Sequence, residues 1–189
     1  MPGGGKTTAC ATLAELGYRV VGEYTTPTGN TVPVGDYPAD EDDDAHQQNW
    51  LTKHQQASTD RRHGNVLCDR DWLTSLAYAA SLDDHTLLTA RCRWACHHLT
   101  HGQLAVAGTY VVVHISPDLS LQRRTDRLTP GHPWNEVTAL QRLHRFYYDP
   151  PAALGSTLGD LLARADWHHL QTPDPPTLVR HLRALVERP

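Results

Sequence analysis

Residues 2–8 read Pro2-Gly3-Gly4-Gly5-Lys6-Thr7-Thr8, the back half of the pattern G-x-x-x-x-G-K-[ST]. Glycines let successive backbone amides turn inward toward phosphate oxygens, where a β-carbon would crowd the anion. In that arrangement Gly3, Gly4 and Gly5 form the cradle and Lys6 reaches the β- and γ-phosphates of a nucleotide. The Thr7 hydroxyl binds Mg²⁺, and Thr8 completes the nucleotide-binding segment. A helix starting at Lys6 adds the positive end of its dipole. Counting back from Gly5, the first glycine of the pattern falls immediately before Met1, and the strand that ordinarily feeds such a loop has no counterpart in the sequence. The expectation is therefore a start lying about ten residues upstream, enough for one glycine and a strand.

Beyond this loop, short apolar runs alternate with helix-length segments, which predicts an α/β fold with a parallel sheet. Strands are expected at Tyr18–Tyr24, Asn65–Asp69, Thr109–Ile115 and Asp166–Gln171, the last weakened by His168 and His169. Helices are expected at about Lys6–Leu16, closed by Gly17, and at Trp72–Ser81, Asp84–His101, Leu119–Leu128, Glu136–Tyr148 and Pro176–Glu187. The segment from Thr25 to Asp44 is rich in Pro, Gly and Asp without helical period and reads as a long functional surface loop. Its acidic run Asp40–Asp44 reads as the solvated lead-in to a helix.

Composition narrows the function classes. The 189 residues carry 17 Lys+Arg against 21 Asp+Glu, a net charge of −4, so no basic field advertises a nucleic-acid polymer as partner. All but two of the basic residues are Arg, and the two lysines are Lys6 and Lys53. The longest apolar stretches, Leu104–Ala107 and Tyr110–Val113, are far below the roughly 20 residues of a membrane span. With no signal-peptide pattern and no CxxC pair among Cys10, Cys68, Cys92 and Cys96, a reducing cytoplasm is the expected location. Thirteen histidines invite a metal reading, but Cys92, Cys96 and His97 lack the second ligand pair that a structural zinc site draws on.

The run LCDRDWLTSLAYA, Leu67–Ala79, resembles the signature of thymidylate kinases at Leu67, Cys68, Asp69, Arg70, Ser75, Ala77, Tyr78 and Ala79, and departs from it at Asp71 and Thr74. His114–Arg127 (HISPDLSLQRRTDR) is similar to the family's strand, Pro-Asp turn and Arg-bearing helix leading into a lid. The family's Arg-Glu-Pro-Gly-Gly-Thr segment is here Thr25-Thr26-Pro27-Thr28-Gly29-Asn30, without its Arg and Glu. The resemblance implies a single domain over residues 1–189 with the three-layer P-loop kinase fold, a parallel sheet flanked by helices and lacking its first, central strand. It further implies ATP and Mg²⁺ as cofactors, an acceptor-binding loop over 25–56 and a lid over 123–136.

The implied activity is transfer of the γ-phosphoryl group from ATP to a nucleoside, a nucleotide or another small hydroxylated acceptor, chemistry that rests on charge neutralisation and in-line positioning. Asp69 would organise Mg²⁺ through water or help deprotonate the acceptor, and Arg70 would hold the acceptor or its phosphate. Glu23 lies where deoxynucleoside kinases place an acidic residue near the acceptor hydroxyl; it would act as general base and would repel a phosphate monoester. Arg123 and Arg127, at i and i+4 of the expected helix, share a face and would close over the transferring group. Trp50, Trp72 or Tyr78 would either stack a base or pack in the core. Two rivals stand beside this reading, a non-catalytic nucleotide-binding protein and a kinase of an antibiotic or sugar alcohol. The expected partners are ATP and a small-molecule acceptor, with a homodimer left open.

Overall fold

The computed structural model describes every residue except 39–41, 128–130 and 189. Its elements run α1 (Lys6–Glu15), β1 (Val20–Val21), α2 (Asp43–Asp60), β2 (Leu67–Cys68), α3 (Leu73–Leu82), α4 (His85–Thr100), β3 (Thr109–His114), α5 (Pro117–Gln122), α6 (Val137–Tyr148), α7 (Pro150–Ala153), α8 (Gly155–Leu162), β4 (Asp166–Gln171) and α9 (Pro175–Val186). The strands form two parallel pairs, β1 with β2 and β3 with β4. Helices alternate with parallel strands, the α/β architecture that the sequence pattern predicts. No helix among the described residues is long and apolar enough to cross a membrane. The chain divides into two compact units. One comprises Met1–Gly4 and Thr74–Thr172, the other Gly5–Leu73 and Pro173–Pro189.

In the unit beginning at Gly5, α1 starts at Lys6 behind a glycine in the left-handed conformation (φ 77°). It stops as expected at Gly17 (φ 88°), where the amides of Gly17 and Tyr18 bond back to the carbonyls of Ala14 and Leu13 at 2.9 and 3.0 Å. This pair of bonds is the glycine-closed helix end that leaves few carbonyls orphaned. Ala9 and Leu13 on one face of α1 are fully buried, and α1 packs against α9, whose inward residues Leu178 and Leu182 sit one turn apart. The β1–β2 ladder is short, Val20 opposite Leu67 and Val21 opposite Cys68, with the Asp69 amide donating to the Val21 carbonyl at 2.9 Å. The regular strand is thus narrower than the expected Tyr18–Tyr24.

An 18-residue helix, α2, occupies the second half of the segment read as the acceptor region. Its onset agrees with the acidic lead-in: Asp42 accepts the Ala45 amide at 3.1 Å as N-cap, and Asp43 and Asp44 lie in the first turn. The loop ahead of it is partly ordered by local bonds, with Thr25 bridging Thr31 and the Val32 amide donating to the Tyr24 carbonyl at 2.9 Å. Asp40, the first residue of the acidic run, lies outside the described residues.

The other unit holds the longer strands at almost their expected bounds, paired from Thr109 opposite Asp166 to His114 opposite Gln171. The histidines that weakened the pattern of β4 find partners. His169 Nδ1 lies 2.8 Å from Nε2 of the fully buried His114, and His168 Nε2 lies 2.8 Å from the Asp166 carboxylate. The rings of His114 and His169 stack, and His144 from α6 closes on His114 edge-on. Leu140, Leu143 and Phe146 form the apolar stripe of α6. The helix expected over Leu119–Leu128 is shorter: α5 ends at Gln122, and Thr125–Arg127 form a 3₁₀ turn. Arg124 draws the chain aside, its guanidinium donating to the carbonyls of Ser120 and Trp134.

Candidate active site

The carboxyl ends of β1 and β2 deliver three charged side chains to one place. Glu23 follows β1, and Asp69-Arg70 follow β2, at the strand edge where parallel α/β proteins bind ligands. Arg70 Nε meets Glu23 Oε1 at 2.8 Å, both side chains more than four-fifths buried. Arg70 stands at φ 68°, a left-handed backbone for a non-glycine residue, which costs about 1–2 kcal/mol. Such strain persists where the surroundings over-determine it, commonly at a functional site. Asp71, where the sequence departs from the thymidylate kinase pattern, accepts the Leu73 amide at 3.1 Å and starts α3.

Asp69 is 2% exposed, and neither carboxylate oxygen has a hydrogen-bond partner among the described residues. A buried, unpaired carboxylate is costly unless a cation faces it. Lys6, at the start of α1, feels that carboxylate: burial pushes its ammonium down to about 8, the Arg70 guanidinium adds to the effect, and Asp69 and then Glu23 oppose it. Lys6, Glu23, Asp69 and Arg70 are therefore one electrostatic group of two cations and two anions. The buried, unpartnered carboxylate of Asp69 is an oxygen donor of the kind that fits a hard divalent cation, and Thr7 follows Lys6 in the first turn of α1.

Around this group lie residues that the sequence did not single out. The Tyr37 ring lies tilted against that of Tyr24, centroids 4.2 Å apart, and the Tyr24 hydroxyl lies 2.5 Å from His46 Nδ1. Burial, then the charges of Glu23 and Asp69, push the Tyr37 phenol up to about 12. From α2, Asn49 and Lys53 reach the backbone of the β1 end. The only advance signal was the rarity of lysine. Trp50 and Trp72 are 5% and 2% exposed and pack in the core. Tyr78, in the other unit, lies under the Arg91 guanidinium at 5.3 Å and beside Trp134.

That other unit also holds Met1–Gly4. Ser120 donates to the Pro2 carbonyl at 2.9 Å, and the Met1 amino group donates to the Val113 carbonyl at 3.0 Å. Gly3 takes a left-handed backbone (φ 71°), and Gly4 leaves no room for a side chain. A β-carbon on Gly4 would stand 2.9 Å from Val113 Cγ1 and 3.1 Å from the Met1 carbonyl oxygen. Arg123 is not on a helix face shared with Arg127, because α5 has ended; its guanidinium donates to the Gly3 carbonyl at 3.3 Å. The side chain of Arg127 and residues 128–130 of the expected lid lie outside the described residues.

A family model described as an AAA domain matches residues 1–126. No curated protein matches the sequence. Among solved structures, a deoxyadenosine kinase from M. mycoides with products dCMP and a flexible dCDP bound is similar in fold, with a TM-score of 0.59 and 16% identity over 98% of this chain and 94% of that one. The α/β architecture with parallel strands is thus that of a P-loop kinase, and the chain belongs to the AAA domain family.

Proposed function

We propose that the protein transfers the γ-phosphoryl group of ATP to a hydroxyl of a nucleoside-like acceptor. The observation that carries this reading is the Glu23–Arg70 pair at 2.8 Å, set with Lys6 and the buried Asp69 at the strand ends. A carboxylate fixed there accepts a proton from a neutral alcohol and repels a phosphate monoester, so an uncharged acceptor fits better than a nucleotide. Arg70, already neutralised by Glu23, orients that carboxylate instead of standing ready for an acceptor phosphate.

In the proposed reaction Lys6 neutralises the β- and γ-phosphates, and the acceptor oxygen attacks the γ-phosphorus in line. The bond from that phosphorus to the bridging oxygen breaks, its electron pair leaves with ADP, and the hydroxyl proton passes to Glu23. Asp69 and Thr7 would hold Mg²⁺, which when bound spreads the charge on the phosphate oxygens. Tyr37, with its raised hydroxyl beside the same carboxylates, would line the acceptor side.

The test is a coupled ADP-release screen across nucleosides, nucleoside monophosphates and aminoglycoside- or sugar-like alcohols. Turnover with a nucleoside that is lost in Lys6→Ala and Asp69→Asn is the expected result. Turnover with an antibiotic or sugar alcohol alone would reassign the acceptor, and nucleotide binding without any acceptor-dependent ADP would make the protein a non-catalytic binder.

A further inference from the structure

The buried residues of α2 are Gln47, Asn49, Trp50 and Lys53, so a mainly polar face points inward. Lys53 is 2% exposed. Its ammonium donates to three carbonyl oxygens, those of Gly22 at 2.5 Å, Asp69 at 2.6 Å and Glu23 at 3.1 Å. One turn earlier, Asn49 donates to the Glu23 carbonyl at 3.0 Å and accepts the Thr25 amide at 3.1 Å. The Trp50 ring lies 5.5 Å from the ammonium.

A buried ammonium is expensive, and an apolar side chain would fill the same space without that cost. What Lys53 supplies instead is a tetrahedral set of three donors that converge on one point. The planar fork of arginine cannot do this, which accounts for a lysine here in a chain whose basic residues, Lys6 apart, are otherwise arginine. Three acceptors also require the charged form, since a neutral amine has only two N–H groups. Burial pushes the pKa of Lys53 down, and the carboxylates of Asp69, Glu23 and Asp71 oppose that. Two of the three carbonyls belong to Glu23 and Asp69, which lie on different strand ends and carry the two carboxylates of the site. The β1–β2 ladder is only two residues long and ends with the Asp69 amide on the Val21 carbonyl, so it stops short of Glu23.

We infer that Lys53 is a positioning residue for phosphoryl transfer: its single ammonium ties the main chain of Glu23 to that of Asp69, holding the acceptor-side base and the cation-side carboxylate at one separation. This rests on the function proposed above.

Two measurements test it. In the wild-type protein, ¹⁵N NMR of the lysine ammonium groups should show one slowly exchanging signal, assigned to Lys53, with scalar couplings across hydrogen bonds to the carbonyl carbons of Gly22, Glu23 and Asp69. A Lys53 ammonium in fast exchange with water overturns the tether, whether or not the protein is a kinase. In Lys53→Met, kcat should fall roughly 100-fold, as for a displacement of about 1 Å in a reacting geometry, with the ATP dissociation constant unchanged within about twofold. Lys53→Arg, which keeps charge without the converging donors, should fall with it. Leu178→Ala in α9 serves as the stability control and should keep kcat. A Lys53→Met enzyme with wild-type kcat, or one restored by arginine, refutes the positioning role. Should the wild type turn over no acceptor, the function proposal falls, and the ammonium spectrum still decides the tether.

Discussion

Lys6 offers a way to count protons as nucleotide binds. Its pKa of about 8 means that about half of the molecules carry a neutral amine there at pH 8, about a tenth at pH 7 and about nine-tenths at pH 9. A triphosphate pairs with the ammonium, not the amine, so binding must return the missing proton and raise the pKa of Lys6 in the complex. The sign follows by linkage: the complex holds more protons than the free protein above pH 8, so affinity is full below that value and falls about tenfold per unit as pH rises past it. Calorimetric titration with ATP at pH 8, repeated in buffers of different ionisation enthalpy, should give a slope of about half a proton taken up per nucleotide. At pH 7 the slope should shrink to about a tenth, and Lys6→Met should abolish it at both. A zero slope at pH 8, or an undiminished slope in Lys6→Met, would refute a lowered pKa at Lys6 as the source of the proton taken up.

Other outcomes follow from the same geometry. Glu23→Gln keeps the shape of the Arg70 contact but cannot take a proton, so kcat should drop by about 10²–10⁴ while ATP affinity holds, checked by steady-state kinetics beside a binding titration. Gly4→Ala places a methyl 2.9 Å from Val113 and should weaken ATP binding with a loss of about 1–3 kcal/mol in stability, read by fluorescence titration and urea unfolding. His114 is held down to about 4 by burial, with His144, His169 and the N-terminal ammonium adding to it. Between pH 6.5 and 4 the unfolded chain binds a proton that the native one refuses, so stability should fall by about 2 kcal/mol on going from pH 6.5 to pH 5, and His114→Leu should flatten that slope in urea denaturation.

The parts of the site legible in the sequence are those whose side chains announce their chemistry. Glycines before a lysine, and Asp-Arg at the end of an apolar run, are local signals, and in the structure Lys6 starts α1 while Asp69 and Arg70 follow β2. β3 was legible because its apolar residues run together, and β4 more weakly, from Trp167 and Leu170 on either side of its histidines; the paired His114 and His169 are a detail of packing that no spacing reveals. Only the start of α2 was legible, from its acidic lead-in; its length was not, because helical periodicity is read from apolar residues and its buried residues are Gln47, Asn49, Trp50 and Lys53. Asn49 and Lys53 bond to backbone at the strand ends, a tertiary fact with no local signature. α5 misled in the opposite sense. Its arginine spacing continues past Gln122, but the bonds of Arg124 to the Ser120 and Trp134 carbonyls accompany the turn away from helix.

The way the segment after β1 is fastened bears on how such a protein diversifies. Thr25 hangs from Asn49 and returns to Thr31, and between them Thr26 bonds locally, to Thr28 and Asn30. Exchanges within 26–30 would therefore leave the anchoring points in α2 intact. Under the proposed function, acceptor preference would then be a modular property, free to drift in lineages where the phosphate chemistry is kept. A library randomised over 26–28 and 30, with Gly29 retained for its left-handed backbone (φ 88°), is the natural place to begin redirecting it.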